Sequence, residues 1–249
     1  MAGFEDHFSA QAGEYARYRP HYPPELFDYL VSIAPGHHLA WDCGTGNGQA
    51  ALELARHFER VLATDASAEQ VALAAPHERI EYRVEPAEET SLEAGSVDLV
   101  TVAIAVHWFD LDRFYPAVRR VLAPRGVLAV WTYHMMEIEP AIDRIVDHYY
   151  RDVVGAYWPP RFRHVDQRYR TLPFPFEELI PPEFHMHADW TLENLTGFLS
   201  SWSATERYRA ERGHHPVGLI WPELSRAWGA PSQVRPVRWP LHLRVGCVS

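Results

Sequence analysis

HLAWDCGTGNGQAALELARHFERVLATD, residues 38–65, is the stretch on which the fold turns. It opens on a short, nearly all-apolar run from His38 to Cys43, passes through a turn with glycine at Gly44, Gly46 and Gly48, continues as an amphipathic segment and closes on a second apolar run at 61–65. Continuous apolar runs of this length read as strands buried on both faces, as in a parallel sheet, and the segment between them reads as the crossover helix. The same grammar continues through SAEQVALAA, IEYRV, VDLVTVAIA, DRFYPAVRRVL and GVLAVWTY to Tyr133. Ser67 followed by Gln70 supplies a capping-box start for the second helix, and Asp110 stands where a cap is needed for the helix after the fourth strand. The expected fold is α/β: a Rossmann-like, doubly wound, mostly parallel sheet with helices on both faces.

After Tyr133 the pattern changes. AIDRIVDHYY reads as a helix, and WPPRFRHVDQRYRTLPFPFEELIPP is rich in proline, arginine and aromatics without a clean period. A further strand, FHMHADW, leads into LENLTGFLSSWSATERY, read as a helix, and VRWPLHLRVG alternates like an antiparallel edge strand. Seven of the nine tryptophans lie at or beyond Trp131. The division expected is therefore residues 1–135 as the ligand-binding core with an N-terminal lid segment, and 136–249 as a helical and aromatic cap insertion plus the last strands of the same sheet.

The 249 residues carry 23 basic and 33 acidic side chains, a formal net charge of −10, and every basic one is arginine. That field disfavours phosphate backbones and anionic membranes, so neither nucleic acid nor membrane is expected as a partner. The absence of lysine removes Schiff-base chemistry and a Walker-type phosphate lysine. Residues 1–135 hold 10 arginines against 19 acids, and 136–249 hold 13 against 14, so the halves differ in character. No run approaches the roughly 20 apolar residues of a membrane span, and MAGFEDHFSAQAGEY lacks the pattern of a signal peptide, which makes the cytoplasm the expected location. Cys43 and Cys247 suit reduced thiols there, and no metal site is expected: His185 and His187 share a strand face, but two histidines alone seldom bind metal.

The chemistry concentrates at the glycine turn. Glycine lets the backbone bend sharply and approach a ligand, and the helix start beyond it offers free N–H groups. Asp65, 23 residues after Asp42, ends the second strand where a carboxylate can accept both hydroxyl protons of an adenosine ribose. A nicotinamide-dependent oxidoreductase shares such a sheet, but its fingerprint wants glycine or alanine where Gln49 stands, and Asp42 repels a pyrophosphate. The same Asp42 suits the ammonium of an amino-acid moiety, and S-adenosylmethionine carries that ammonium and no phosphate.

Asp42-Cys43-Gly44-Thr45-Gly46-Asn47-Gly48 resembles the glycine motif of the class I S-adenosylmethionine-dependent methyltransferases, in the type 11 group that includes trans-aconitate methyltransferase-like and ubiquinone-biosynthesis-type enzymes. Asp65-Ala66-Ser67, with Gln70 beyond, is similar to the second-strand motif that holds the ribose. Ala87-Glu88-Glu89 resembles the adenine-side contact, and Val97-Asp98-Leu99-Val100 followed by His107-Trp108-Phe109 resembles the fourth strand and its loop. Leu122 to Leu128 resembles the lead into strand five, so the likeness covers about residues 38–133 in order. Upstream, Tyr15 to Pro23 is similar to the segment that closes over the cofactor. The resemblance implies binding through Tyr18, Arg19, Asp42, Gly44, Thr45, Gly46, Gly48, Asp65, Ala66, Gln70, Ala87, Glu88, Ala103, His107 and Trp108. Arg19 would pair with the methionine carboxylate.

His107 and Trp108 fall at the open edge of a parallel sheet, where such folds bind ligands. His107 is a candidate general base, and equally a residue that only positions the substrate, because displacement at a sulfonium depends chiefly on alignment and desolvation. Arg161, Arg163, Arg168 and Arg170 surround Phe162 and Tyr169, a mixture suited to an acidic, partly apolar small molecule as methyl acceptor. The activity implied is methyl transfer from S-adenosylmethionine, leaving S-adenosylhomocysteine. A non-catalytic binder of that cofactor is the alternative, and oligomeric state is not legible.

Overall fold

A computed structural model of the chain describes residues 20–248. Tyr18, Arg19 and most of the segment expected to close over the cofactor lie outside the described residues. Helix α1 (Pro24–Ile33) precedes β1 (Leu39–Cys43), α2 (Gln49–Leu54), β2 (Arg60–Asp65), α3 (Ala68–Ala72), β3 (Ile80–Val84) and β4 (Val97–Ala103). A single 3₁₀ turn at Val106–Trp108 leads to α4 (Leu111–Val121) and β5 (Leu122–Tyr133). The second half holds α5 (Pro140–His148), α6 (Arg163–Asp166), β6 (Glu177–Leu179), β7 (Phe184–Trp190), α7 (Leu192–Ser200), α8 (Ser203–Arg212), α9 (Val217–Trp228) and β8 (Arg235–Cys247).

The sheet runs β3-β2-β1-β4-β5-β8-β6, with β7 also paired to β8. Strands β1 to β5 are parallel, and β6, β7 and β8 pair antiparallel. Both faces of the parallel part are buried, as the apolar runs require. Val127, Ala129 and Trp131 of β5 pack with α1 and α2 residues such as Leu26, Phe27 and Ala51, while Leu128 and Val130 pack with Phe114 and Val118 of α4. Each valine, leucine or phenylalanine among them contributes about 1.5–3 kcal/mol by leaving water.

Several local details differ from the sequence reading. The C-terminal run read as an edge strand is β8, which lies one place in, with β6 and β7 on its outer side. Pro236 and Pro240 are tolerated there because they share the parity of Arg238, whose N–H points to Glu137 and not to β7. Their missing donors thus fall on the side where β5 has already ended. The segment read as one helix over 192–208 is two, because Trp202 takes an extended backbone between α7 and α8. The hydroxyls of Ser201 and Thr205 satisfy the carbonyls of Phe198 and Leu199 at the break, each at 2.7 Å. Helices α1 and α9 were not expected. The second carries an interior proline, Pro222, yet buries Val217, Ile220, Leu224 and Trp228.

Candidate functional site

The glycine turn leaves the C-terminal tip of β1. Gly44, Gly46 and Gly48 all have positive φ, at 70°, 56° and 87°. That left-handed backbone is open to glycine at no steric cost. A Cβ on Gly44 would lie 2.5 Å from Cβ of Ala105 and 3.1 Å from the Phe109 ring, so the loop after β4 packs directly on the turn. Among the described residues, a Cβ on Gly46 would meet only Oε1 of Gln70, at 3.7 Å, and none of those residues closes the turn there. Gly44→Ala is therefore expected to lower stability by about 2–4 kcal/mol through backbone strain and overpacking, read as a lowered midpoint in urea unfolding with unchanged slope.

Asp42 sits between Ala63 of β2 and Thr101 of β4 in the sheet register and is 1% exposed. Thr45 Oγ1 donates to one of its oxygens at 2.5 Å and Thr101 Oγ1 to the other at 2.8 Å. Burial pushes this carboxyl up to about 6, and the charge of Asp65 adds to the rise, while the two threonine hydroxyls oppose it. The sequence reading put Asp42 on a ligand ammonium. The structure sets its carboxylate beneath the turn, tied to two hydroxyls, so that its charge reaches the open side through the turn and not by exposed contact.

Asp65, at the tip of β2, accepts from the N–H of Gly46 at 2.9 Å and of Ser67 at 2.9 Å. It thereby links the glycine turn to the start of α3, whose N-cap is Ser67, accepting from Gln70 N at 3.3 Å. Ala66 lies between them, and Gln70 is buried beside Gly46. Ala87 is buried, and Glu88 next to it accepts from the N–H of Asp110 at 2.7 Å, which brings the segment after β3 against the start of α4. Asp110 itself holds the N-cap position, but its side chain makes no capping bond. Asp98 is structural: at the opposite end of β4 it accepts from the N–H groups of His38 and Leu39 at 2.9 and 3.2 Å.

At the end of β4, Ala103 pairs with Trp131, and the next residue, Ile104, has φ 55°. A β-branched residue in that region carries strain of about 1–3 kcal/mol. It turns the chain into the 3₁₀ segment that holds His107 and Trp108. His107 is 4% exposed, bonded through Nδ1 to the Tyr169 hydroxyl at 2.8 Å, and walled by Trp108 and Phe162. Its Nε2 is buried without a hydrogen-bond partner among the described residues. Burial, with the nearby His164 and Arg161 adding to it, pushes His107 down to about 3. Such an imidazole is neutral at physiological pH and a weak proton acceptor, which suits positioning better than general-base work. The cap closes on this loop: Arg161 donates to the Trp108 carbonyl, and Phe162 stacks on Trp158 at 4.4 Å.

A second histidine, not singled out from the sequence, stands just past the end of β5. His134 Nε2 meets Asp166 Oδ1 at 3.1 Å, and the Tyr150 hydroxyl donates to the same oxygen. Although burial alone would raise it, Asp166 is held below its ordinary value by these two hydrogen bonds and by the charges of His134 and Arg151. An ionised Asp166 fixes the Nε2–H tautomer and leaves Nδ1 as the basic nitrogen. Among the described residues no group of three or more His, Cys, Asp or Glu could hold a metal ion, and Arg238 donates to His185 Nε2. No helix of the described residues is long and apolar enough to cross a membrane.

Two carboxylates at the tips of neighbouring strands, with an open glycine turn between them, fit a cationic amino-acid end and a ribose, and oppose a pyrophosphate. Residues 41–130, from the glycine turn into β5, match the family described as a methyltransferase domain. The chain belongs to the class I S-adenosylmethionine-dependent methyltransferases, in the type 11 group. A Dictyostelium discoideum protein named as a methyltransferase is 35% identical over 204 residues, 80% of this chain and 78% of its own. A solved structure titled as a type II methyltransferase from Anaeromyxobacter dehalogenans is 43% identical with a TM-score of 0.87, covering 92% of this chain and 98% of that one. A Haemonchus contortus phosphoethanolamine N-methyltransferase, solved with phosphomonomethylethanolamine and S-adenosylhomocysteine, shares the fold at 16% identity and a TM-score of 0.50, over 97% of this chain and 60% of its own. Family membership decides for methyl transfer over hydride transfer.

Proposed function

We propose that the protein transfers the methyl group of S-adenosylmethionine to a small, acidic acceptor held beneath the cap. The observation that carries the cofactor assignment is the pairing of Asp42 and Asp65 around the open turn at Gly46. On this reading Gly44, Thr45, Gly46 and Gly48 cradle the methionine end above the buried charge of Asp42, and Tyr18 and Arg19 close over it. Asp65 holds the ribose with Ala66 and Gln70 beside it, Ala87 and Glu88 face the adenine, and Ala103, His107 and Trp108 border the methyl group.

Bound S-adenosylmethionine supplies an electrophilic methyl on a sulfonium. For a protic acceptor, His134 Nδ1 would take the acceptor's proton and pass it to solvent as the acceptor oxygen or nitrogen gains the methyl and sulfur keeps the C–S electron pair. His107, neutral and held by Tyr169, orients the acceptor. An acceptor already ionised needs no base, and then His134 serves only to place it.

The test is a screen of acidic small molecules for methylated product by mass, with conversion to S-adenosylhomocysteine followed in parallel. For a protic acceptor, His134→Ala is expected to lower kcat by about 100- to 10,000-fold, with S-adenosylhomocysteine affinity unchanged. A screen in which no acceptor gains mass while the cofactor binds tightly would leave the protein a binder and overturn the proposed turnover.

A further inference from the structure

Beside the cap, at the end of β5 and β8, lies a groove of about 440 Å³ lined by Arg168, Arg170, Glu178, Glu183, His242 and Arg244. Its charges sort into two groups. Arg244 is committed: its guanidinium takes both oxygens of Glu178 at 2.8 Å and donates to the Leu172 carbonyl at 2.6 Å. The guanidiniums of Arg168 and Arg170, unlike their backbone N–H groups, have no hydrogen bond or ion pair to any described residue, and with Glu183 they are the charges left to face a ligand. Two guanidiniums lining one groove without a carboxylate partner suit planar, bidentate recognition of carboxylate or phosphate.

The backbone presents this pair at a cost. Arg168 and Tyr169 are consecutive non-glycine residues with φ 56° and 59°. Each such conformation costs on the order of 1–3 kcal/mol and persists where the surroundings hold it, commonly at functional sites. The turn sends Tyr169 inward, fully buried, to His107, and leaves Arg168 and Arg170 exposed on either side of it. The groove is therefore one residue removed from the histidine that borders the methyl-transfer site.

We propose that this groove docks the anionic end of the acceptor, a carboxylate or phosphate held between the guanidiniums of Arg168 and Arg170 with His242 beneath them. The inference rests on the acidic-acceptor reading above and gives that acid a place. His242 also reports on it. Burial comes first, and the charges of Arg168, Arg170, His134 and His185 follow, in pushing His242 down to about 4. An anion between the arginines cancels the largest of those charges, so binding must raise the histidine, and protonation must in turn tighten the anion.

The experiment follows the His242 ring by ¹⁵N-edited NMR from pH 8 to 3, with inorganic phosphate in one arm, propane-1,2,3-tricarboxylate in another and sodium chloride at matched ionic strength as control. The expected result is a midpoint raised by about one unit or more, equivalent to roughly tenfold tighter anion binding to the protonated form, by at least one of the two anions and not by chloride. Arg168→Gln/Arg170→Gln is expected to abolish that response, to raise the anion-free midpoint and to leave S-adenosylhomocysteine affinity unchanged. A response to tricarboxylate alone assigns a carboxylate acceptor, and a response to phosphate alone assigns a phosphorylated one. A midpoint that neither anion moves, or that moves equally in the double variant, overturns the groove. If that happens while S-adenosylhomocysteine binds, only the groove fails; if S-adenosylhomocysteine does not bind the parent protein, the cofactor assignment fails first.

Discussion

Asp65→Ala is expected to weaken S-adenosylhomocysteine binding by about 30- to 1,000-fold, because two hydrogen bonds to a charged group contribute roughly 2–4 kcal/mol in a desolvated site. Part of that loss comes through the protein itself. Asp65 also accepts from Gly46 and Ser67, so its removal frees the glycine turn from the start of α3 in addition to removing the proposed ribose contact. Two ligands separate the contributions. 5′-Methylthioadenosine keeps the ribose and lacks the methionine ammonium and carboxylate, and it should lose affinity with Asp65→Ala to the same degree. Adenine has no ribose hydroxyls, so any loss it suffers measures the disordered turn alone. Calorimetric titration of the three ligands against parent and variant reads the effect, and unchanged affinity for all three would remove Asp65 from the site.

Asp42→Asn should act in opposite directions on stability and binding. Asp42 has a folded-state value of about 6, raised above its ordinary 3.8 chiefly by burial. For a group raised on folding, the favourable contribution is complete below the unfolded value and is lost as pH rises through the folded one. The parent protein thus carries an unfavourable buried charge at pH 8 that it does not carry at pH 4. Asparagine keeps the shape and its amide can still meet both threonine hydroxyls, so the variant is expected to gain about 2 kcal/mol over the parent between pH 4 and pH 8. The same change removes the charge that the proposed site sets beneath the methionine end. S-adenosylhomocysteine should bind about tenfold or more weakly, whereas 5′-methylthioadenosine, without an ammonium, should bind parent and variant alike. Equal losses for both ligands would show that Asp42 only shapes the turn. Higher stability with lower affinity is the pattern of a residue kept for binding and not for the fold.

What the sequence disclosed was set by how locally each feature is written. The glycine turn was legible because three left-handed positions within five residues demand glycine, and the strands around it because burial on both faces leaves no alternation. Ser67 was legible as a cap since its partner is three residues away. The pairing of His134 with Asp166 and Tyr150 was not, because 32 and 16 residues separate the members and each alone looks ordinary. The role of His107 was ambiguous for a related reason: its partner, Tyr169, comes from the cap, 62 residues on, and only burial under that cap decides its protonation. Asp42 was read from the sequence as a partner for a ligand ammonium; its burial and its bond to Thr101 depend on the β1 to β4 register, which no local pattern reveals. The break between α7 and α8 escaped because Trp202, a tolerable helix residue, is instead drawn into contact with Tyr149, Tyr150 and Phe198.

The most direct measurement is calorimetric titration of the purified protein with S-adenosylhomocysteine, with NAD titrated in parallel. Binding of S-adenosylhomocysteine at micromolar or tighter, about −8 kcal/mol or better, with no heat from NAD, is the result expected if Asp42 and Asp65 frame a methyltransferase cofactor site. Heat from NAD and none from S-adenosylhomocysteine would contradict it.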